Sequence, residues 1–312
     1  MSTHSLDQAR RGLSLLVVAG VLWGTGGLLG RLLGDSAGLA PLAVAALRIG
    51  LGGLLLVGYL CLTGRHVPRG RAAWLRIGQT GLLAALFQAS YFTAVSLTSV
   101  SLATLVTIGS APVIVLLARI RSANRHQIAG VGLALLGLGL LVGLPAGGAA
   151  GEALLAGVAC AVASGSGFAV MTLLGTRPVS GLDDVTTTGI GFTAGGLILV
   201  PIVGATSGWS LALDVRSVLL LVALAVVPTA LAYTCYFAGL RTTSAGTGSV
   251  LALLEPLTST VLAALLLGER LGPSGLVAGA VLGLAMLLTA RSAAEPEPAA
   301  DGEPADDLVR SS

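Results

Sequence analysis

The sequence predicts an all-α polytopic membrane protein, ten transmembrane helices arranged as two inverted five-helix repeats. Three observations carry that prediction. The 312 residues are 54% hydrophobic and only 10% charged, with a mean hydropathy of +0.94. A soluble domain carries about 25% charge, so the composition argues against an ordinary water-soluble enzyme. Apolar stretches of about 20 residues, the length that crosses a hydrocarbon core, recur ten times with short connections between them. The second half of the chain also repeats landmarks of the first, at an offset near 145 residues.

Taken in order, the stretches are 13–33, 40–62, 74–96, 100–118, 127–145, 153–175, 185–204, 216–239, 246–267 and 273–290. The first follows Arg10-Arg11, a pair that imitates a secretory or twin-arginine signal. It outlasts a signal's apolar core and nine more stretches follow, so it reads as an uncleaved membrane helix. The second opens at Pro41 and carries Arg48 seven residues on. The third holds Gln88, Tyr91 and Phe92, and the fourth Ala111-Pro112. The fifth is rich in glycine from Gly130 to Gly143. Gly165-Ser166-Gly167 lies in the sixth, and Asp183-Asp184 precedes the seventh. The eighth holds Tyr233, Tyr236 and Phe237, the ninth Glu255-Pro256, and the tenth Gly279 to Gly283. Small residues let membrane helices approach closely, which is the reading for these glycines.

The repeat is visible residue by residue. Tyr91-Phe92, Leu97-Thr98-Ser99 and Ala111-Pro112 reappear as Tyr236-Phe237, Arg241-Thr242-Thr243 and Glu255-Pro256; the offset is 145 at the aromatics and 144 at the prolines. Five spans per copy is an odd number, so the second copy enters the membrane with opposite polarity. Such inverted repeats mark secondary transporters, whose substrate site lies between the halves near the midplane. The organisation expected is an N-terminal segment (1–12), a first repeat (13–145), a second repeat (146–291) and a disordered acidic tail (292–312).

Charge orients the chain. All seventeen basic residues are arginine, and six of the fourteen acids fall in the last eighteen residues. With the N-terminus inside, twelve arginines flank the inner face and three (Arg31, Arg216, Arg270) the outer. The positive-inside rule therefore puts both termini in the cytoplasm. The basic surplus fits anionic lipid rather than nucleic acid, and the run from Arg65 to Arg76 reads as an orientation signal. Cys61, Cys160 and Cys235 lie in apolar runs without the spacing of zinc ligands, so no metal and no cofactor is expected.

Leu254-Glu255-Pro256-Leu257, Leu267-Gly268-Glu269-Arg270-Leu271, Gly279 and a final apolar helix, with Trp23-Gly24-Thr25 and Arg48, resemble the EamA-type transporters of the drug/metabolite transporter superfamily. The resemblance spans about residues 12–290. The first half lacks the Gly-Glu-Arg-Leu element. The resemblance implies a ten-helix inner-membrane carrier, often an exporter of amino acids, other metabolites or drugs.

Glu255 is the acid placed deep in a span, where an Asp or a basic residue costs about 2.5–3.5 kcal/mol on insertion scales. It reads equally as a proton- or amine-binding site and as a neutral carboxyl tying helices together. Arg48 offers five fixed donors to an anionic group, or caps carbonyls of a neighbouring helix. Pro112 and Pro256, at matching places in the two copies, are candidates for hinges and gates, or for packing kinks. Gln88 with Tyr91, and Tyr233 with Tyr236, each share a helix face. With Trp23 they are candidates to wall a cavity, or are packing anchors.

The function expected is a secondary transporter of small metabolites working by alternating access, drawing on protons or on the solute's own gradient, as a monomer or homodimer. No Walker loop is present and there is no lysine to supply one, which excludes ATP-driven pumping by this chain alone. An intramembrane enzyme is the weaker rival: His4, His66 and His126 lie in the tail or at span ends, His-Glu-x-x-His is absent, and no aspartates pair within spans. One acid and one base do not make the polar ring of a channel.

Overall fold

The computed structural model describes residues 3–65, 68–142, 151–209, 214–267 and 273–294. Among them the regular secondary structure is helical, joined by short turns, with an isolated bridge between Val179 and Leu182. The order is α1 (Thr3–Ala37), α2 (Pro41–Leu62), α3 (Arg71–Leu97), α4 (Val100–Ala118), α5 (Arg125–Val142), α6 (Glu152–Gly175), α7 (Asp184–Thr206), α8 (Val215–Leu240), α9 (Ala245–Leu251), α10 (Leu254–Leu267) and α11 (Pro273–Ala294). Among the described residues seven stretches are long and apolar enough to cross a membrane: α1, α2, α3, α6, α7, α8, and α9 with α10 taken together. Shorter apolar helices occupy Leu102–Ala118, Arg125–Leu141 and Gly275–Arg291. Glu269-Arg270 and the acidic tail beyond residue 294 lie outside the described residues.

Local chemistry sets the ends of these helices. Pro41 occupies the first turn of α2, where its missing N–H is no loss. Side-chain oxygens of Ser99, Asp183, Asp214 and Ser244 accept the free amides of Leu102, Thr186, Ser217 and Thr247 at the starts of α4, α7, α8 and α9. Two spans are irregular, both near a proline. Within α8 the turn Val226–Leu231 is a π-helix around Pro228, and the Thr229 hydroxyl donates to the Leu224 carbonyl at 2.9 Å. Between α9 and α10 the helix tightens: Leu253 N–H donates to the Val250 carbonyl and Glu255 N–H to the Ala252 carbonyl, both at 3.0 Å. The cause is Pro256, whose ring clashes with the carbonyl four residues back, that of Ala252. Pro112 acts differently, since α4 runs through it without interruption.

Helices of one half pack chiefly on the other half, and the contacts come in matched pairs. α1 packs on α8 and α10 as α6 packs on α3 and α4, while α2 meets α8 as α7 meets α3. α2 against α7, and α5 against α11, are their own counterparts. The α2–α7 crossing is close enough to require glycine, because a Cβ on Gly196 would stand 2.5 Å from the Gly50 Cα. The arginine run after α2 also makes specific bonds. Arg65 pairs with Asp183 at 2.9 Å, and Arg76 donates to the Leu174 and Arg177 carbonyls at 2.6 and 2.8 Å.

Candidate functional site

The buried aromatic residues gather where α1, α6, α7 and α8 meet. The Trp23 ring lies 4.9 Å from Tyr233, 4.8 Å from Tyr236 and 5.8 Å from Phe168. Phe168 stacks on Tyr236 at 5.6 Å, and Phe192 meets Tyr233 edge-on at 4.6 Å. These are the offset and edge-to-face separations that aromatic quadrupoles favour. The Tyr236 hydroxyl shares a 2.8 Å hydrogen bond with Thr172, holding α8 to α6. Trp23 has no such anchor, and its Nε1 is buried without a hydrogen-bond partner.

Glu255 stands beside this group because of the break before it. It falls in the first turn of α10, where unpaired backbone N–H groups and the helix dipole favour negative charge. α10 is held to α1 by the Ser259 hydroxyl, which donates to the Gly24 carbonyl at 2.8 Å. Gly24 permits the approach, since a Cβ there would lie 3.1 Å from the Glu255 carbonyl. Arg48 reaches in from α2, with its Nη1 3.5 Å from where a Gly26 Cβ would stand, and its Nε is buried without a partner. Its charge acts on Glu255 and on the hydroxyls of both Tyr233 and Tyr91. No Arg48 nitrogen comes within 4.0 Å of a Glu255 oxygen, because the described ion pairs all lie elsewhere. Both residues are half-buried rather than sealed. A separated cation and anion, with free donors and an aromatic wall between helices, can hold a small polar solute by its charged ends. A buried donor left unmet costs about 1–3 kcal/mol, and such orphans call for a partner.

The structure thus brings together Trp23, Tyr233, Tyr236, Arg48, Glu255 and, next to Glu255, Pro256. It does not bring Tyr91 onto the aromatic group. That ring packs on Phe92 at 5.0 Å, its hydroxyl bonds Thr104 at 2.8 Å, and its neighbours are Ala94, Ala103 and Ala161. Gln88 is buried on the same helix, and Pro112 is buried in α4. Phe168, Phe192 and Thr172 were not among the residues expected. The repeat offset of 145, applied to Trp23, lands on Phe168, so the signal for that residue was present in the sequence. Among the described residues no group of three His, Cys, Asp or Glu is gathered to hold a metal ion.

Comparison with known proteins follows the same two halves. The family model described as the EamA-like transporter family matches residues 10–143 and again 155–291. The uncharacterized transporter YwfM of Bacillus subtilis (strain 168) is 29% identical over 284 residues, covering 88% of this chain and 91% of its own. A protein of known crystal structure shares the fold at a TM-score of 0.76 and 19% identity, over 91% of this chain and 99% of that one.

Proposed function

The chain belongs to the EamA-like transporter family, and from that premise we propose that it is a secondary carrier exporting amino acids or related small metabolites across the cytoplasmic membrane. It is a multi-pass membrane protein of a transporter family. In this reading ten spans form two inverted five-helix halves with both termini cytoplasmic, and the halves rock about one site between them. The observation that carries the proposal is the placement of Glu255, at the start of α10, within electrostatic reach of Arg48 but unpaired with it, beside the Trp23–Tyr233 aromatic contact. Arg48 would take the solute's carboxylate and Glu255 its ammonium group, or a proton that replaces it. Discontinuous helices aiming their ends at a midplane site are the usual device of such carriers.

The test is uptake into proteoliposomes from a mixed amino-acid and metabolite panel, with and without an imposed pH gradient, for wild type and Glu255→Gln. Saturable uptake that follows the gradient and is lost in the variant supports proton coupling through Glu255. Saturable uptake indifferent to both makes the protein a facilitative carrier in which Glu255 is structural. Flux that does not saturate and shows no counterflow makes it a channel.

A further inference from the structure

The end of the molecule where α6 turns into α7 carries a cluster of charge that the candidate site does not use. Arg76, early in α3, donates from Nη1 to the carbonyls of Leu174 and Arg177 at 2.6 and 2.8 Å. Leu174 is in the last turn of α6, where its carbonyl also accepts the Arg177 N–H at 3.0 Å, and Arg177 lies just past the helix end. Arg241, just past α8, donates from Nε and Nη2 to Asp184 Oδ1 at 2.9 and 2.7 Å. Its Nη2 also reaches the Leu182 carbonyl at 3.4 Å. The side chains of this pair are 28% and 20% exposed, so solvent screens it less than an open surface pair. Arg65 adds a bond from the end of α2 to Asp183. Arg65 and Arg76 therefore tie the first half to the second, while Arg241 fixes the first turn of α7 to the end of α8.

Behind these bonds the protein is closed. Thr80, Met171 and Phe237 are each no more than 4% exposed. The cavity they share with Arg76 and Arg241 has room of about 20 Å³, enough for one water and for no solute. The other end of the pseudo-symmetric molecule is built differently. At the repeat offset of 145, Arg76 corresponds to Leu221, Arg241 to Ser96 and Asp184 to Leu39. Among the described residues, the matching junction of α1 with α8 carries a hydroxyl pair, Ser36 with Ser217 at 3.1 Å. Charge-assisted hydrogen bonds are roughly twice as strong as neutral ones, so the bonds of Arg241 and Arg76 fasten the α3–α6–α7–α8 end firmly.

We propose that Arg76, Arg241 and Asp184 form a latch that holds the α3–α6–α7–α8 end shut, so that the resting protein is closed at this end and must break the latch to admit solute there. The proposal rests on the carrier reading given above. It is tested by cysteine labelling in membrane vesicles of both orientations, with Cys61, Cys160 and Cys235 replaced. Thr80→Cys lies behind the latch, and Ser180→Cys, exposed on the α6–α7 turn, reports which vesicles present this end. An impermeant maleimide should label Ser180→Cys rapidly and Thr80→Cys slowly. Arg241→Ala and Arg76→Gln should each raise the Thr80→Cys rate at least fivefold, and the charge swap Arg241→Asp with Asp184→Arg should bring it back towards wild type. Molar salt should raise the Thr80→Cys rate with the latch unmutated, an arm that needs no latch variant to fold. Thr80→Cys labelling that ignores both salt and the variants overturns the latch, even if saturable transport is found. Labelling that follows the latch in a protein without saturable transport leaves the latch standing and removes the carrier reading.

Discussion

Glu255 and Arg48 are opposite charges near each other without being an ion pair, and that separation is what a ligand could exploit. A direct pair would have satisfied both groups internally; here the Arg48 Nε is buried with no partner. Glu255→Gln keeps the shape and removes the charge, so the expected result is loss of gradient-driven uptake by tenfold or more with the folded protein intact. Trp23→Phe separates packing from donation. It keeps an aromatic ring and deletes a buried N–H that bonds nothing, so removal of the unmet donor offsets part of the cost of the smaller ring and thermal stability in detergent should fall only slightly. Severalfold weaker solute affinity in the same variant, measured by titration, would show that Nε1 meets the solute. The arginine and the acid were legible in the sequence as charges inside apolar runs. Their placement opposite each other was not, because residues 48 and 255 come together only when α2 and α10 both pack around α1.

The ninth expected span is two helices, and the break belongs to Pro256. Pro256→Ala restores an N–H and removes the clash with the Ala252 carbonyl, so α9 and α10 should join. The expected outcome is a rise in melting temperature and a fall in transport rate of about tenfold, read from unfolding and initial uptake rates. At the start of α7, Asp183 accepts from Thr186 and from Arg65. Partial burial pushes its carboxyl up, but the Thr186 and Arg65 bonds outweigh that and hold it below the usual aspartate range. A depressed carboxylate contributes stability above its unfolded value, about 3.9, and loses it as pH falls through the folded one. Asp183→Ala should therefore cost about 1 kcal/mol near neutrality, as lost caps do. The gap from wild type should narrow below about pH 4 in unfolding measurements. Pro112 shows the limit of reading elements from matched motifs. It matches Pro256 in the repeat, yet α4 passes through it, so a shared proline did not produce a shared break.

At the scale of the whole molecule, the matched contacts between halves make the pseudo-symmetry physical. A reporter fused after Arg291 should be active only in its cytoplasmic form; a periplasmic reading would invert the proposed topology. The amino-acid sequence by itself determined the all-helical membrane class, the two copies and the charges that had to be explained. Hydropathy, helix length and arginine placement act locally along the chain and need no knowledge of neighbours. Only the tertiary structure decided that Trp23, Phe168, Tyr233 and Tyr236 form one aromatic group while Tyr91 packs elsewhere, and that Arg76 binds carbonyls across the halves. Those outcomes depend on which helix faces meet. Close approach at positions such as Gly50 and Gly196 sets those faces, and no single segment carries that information.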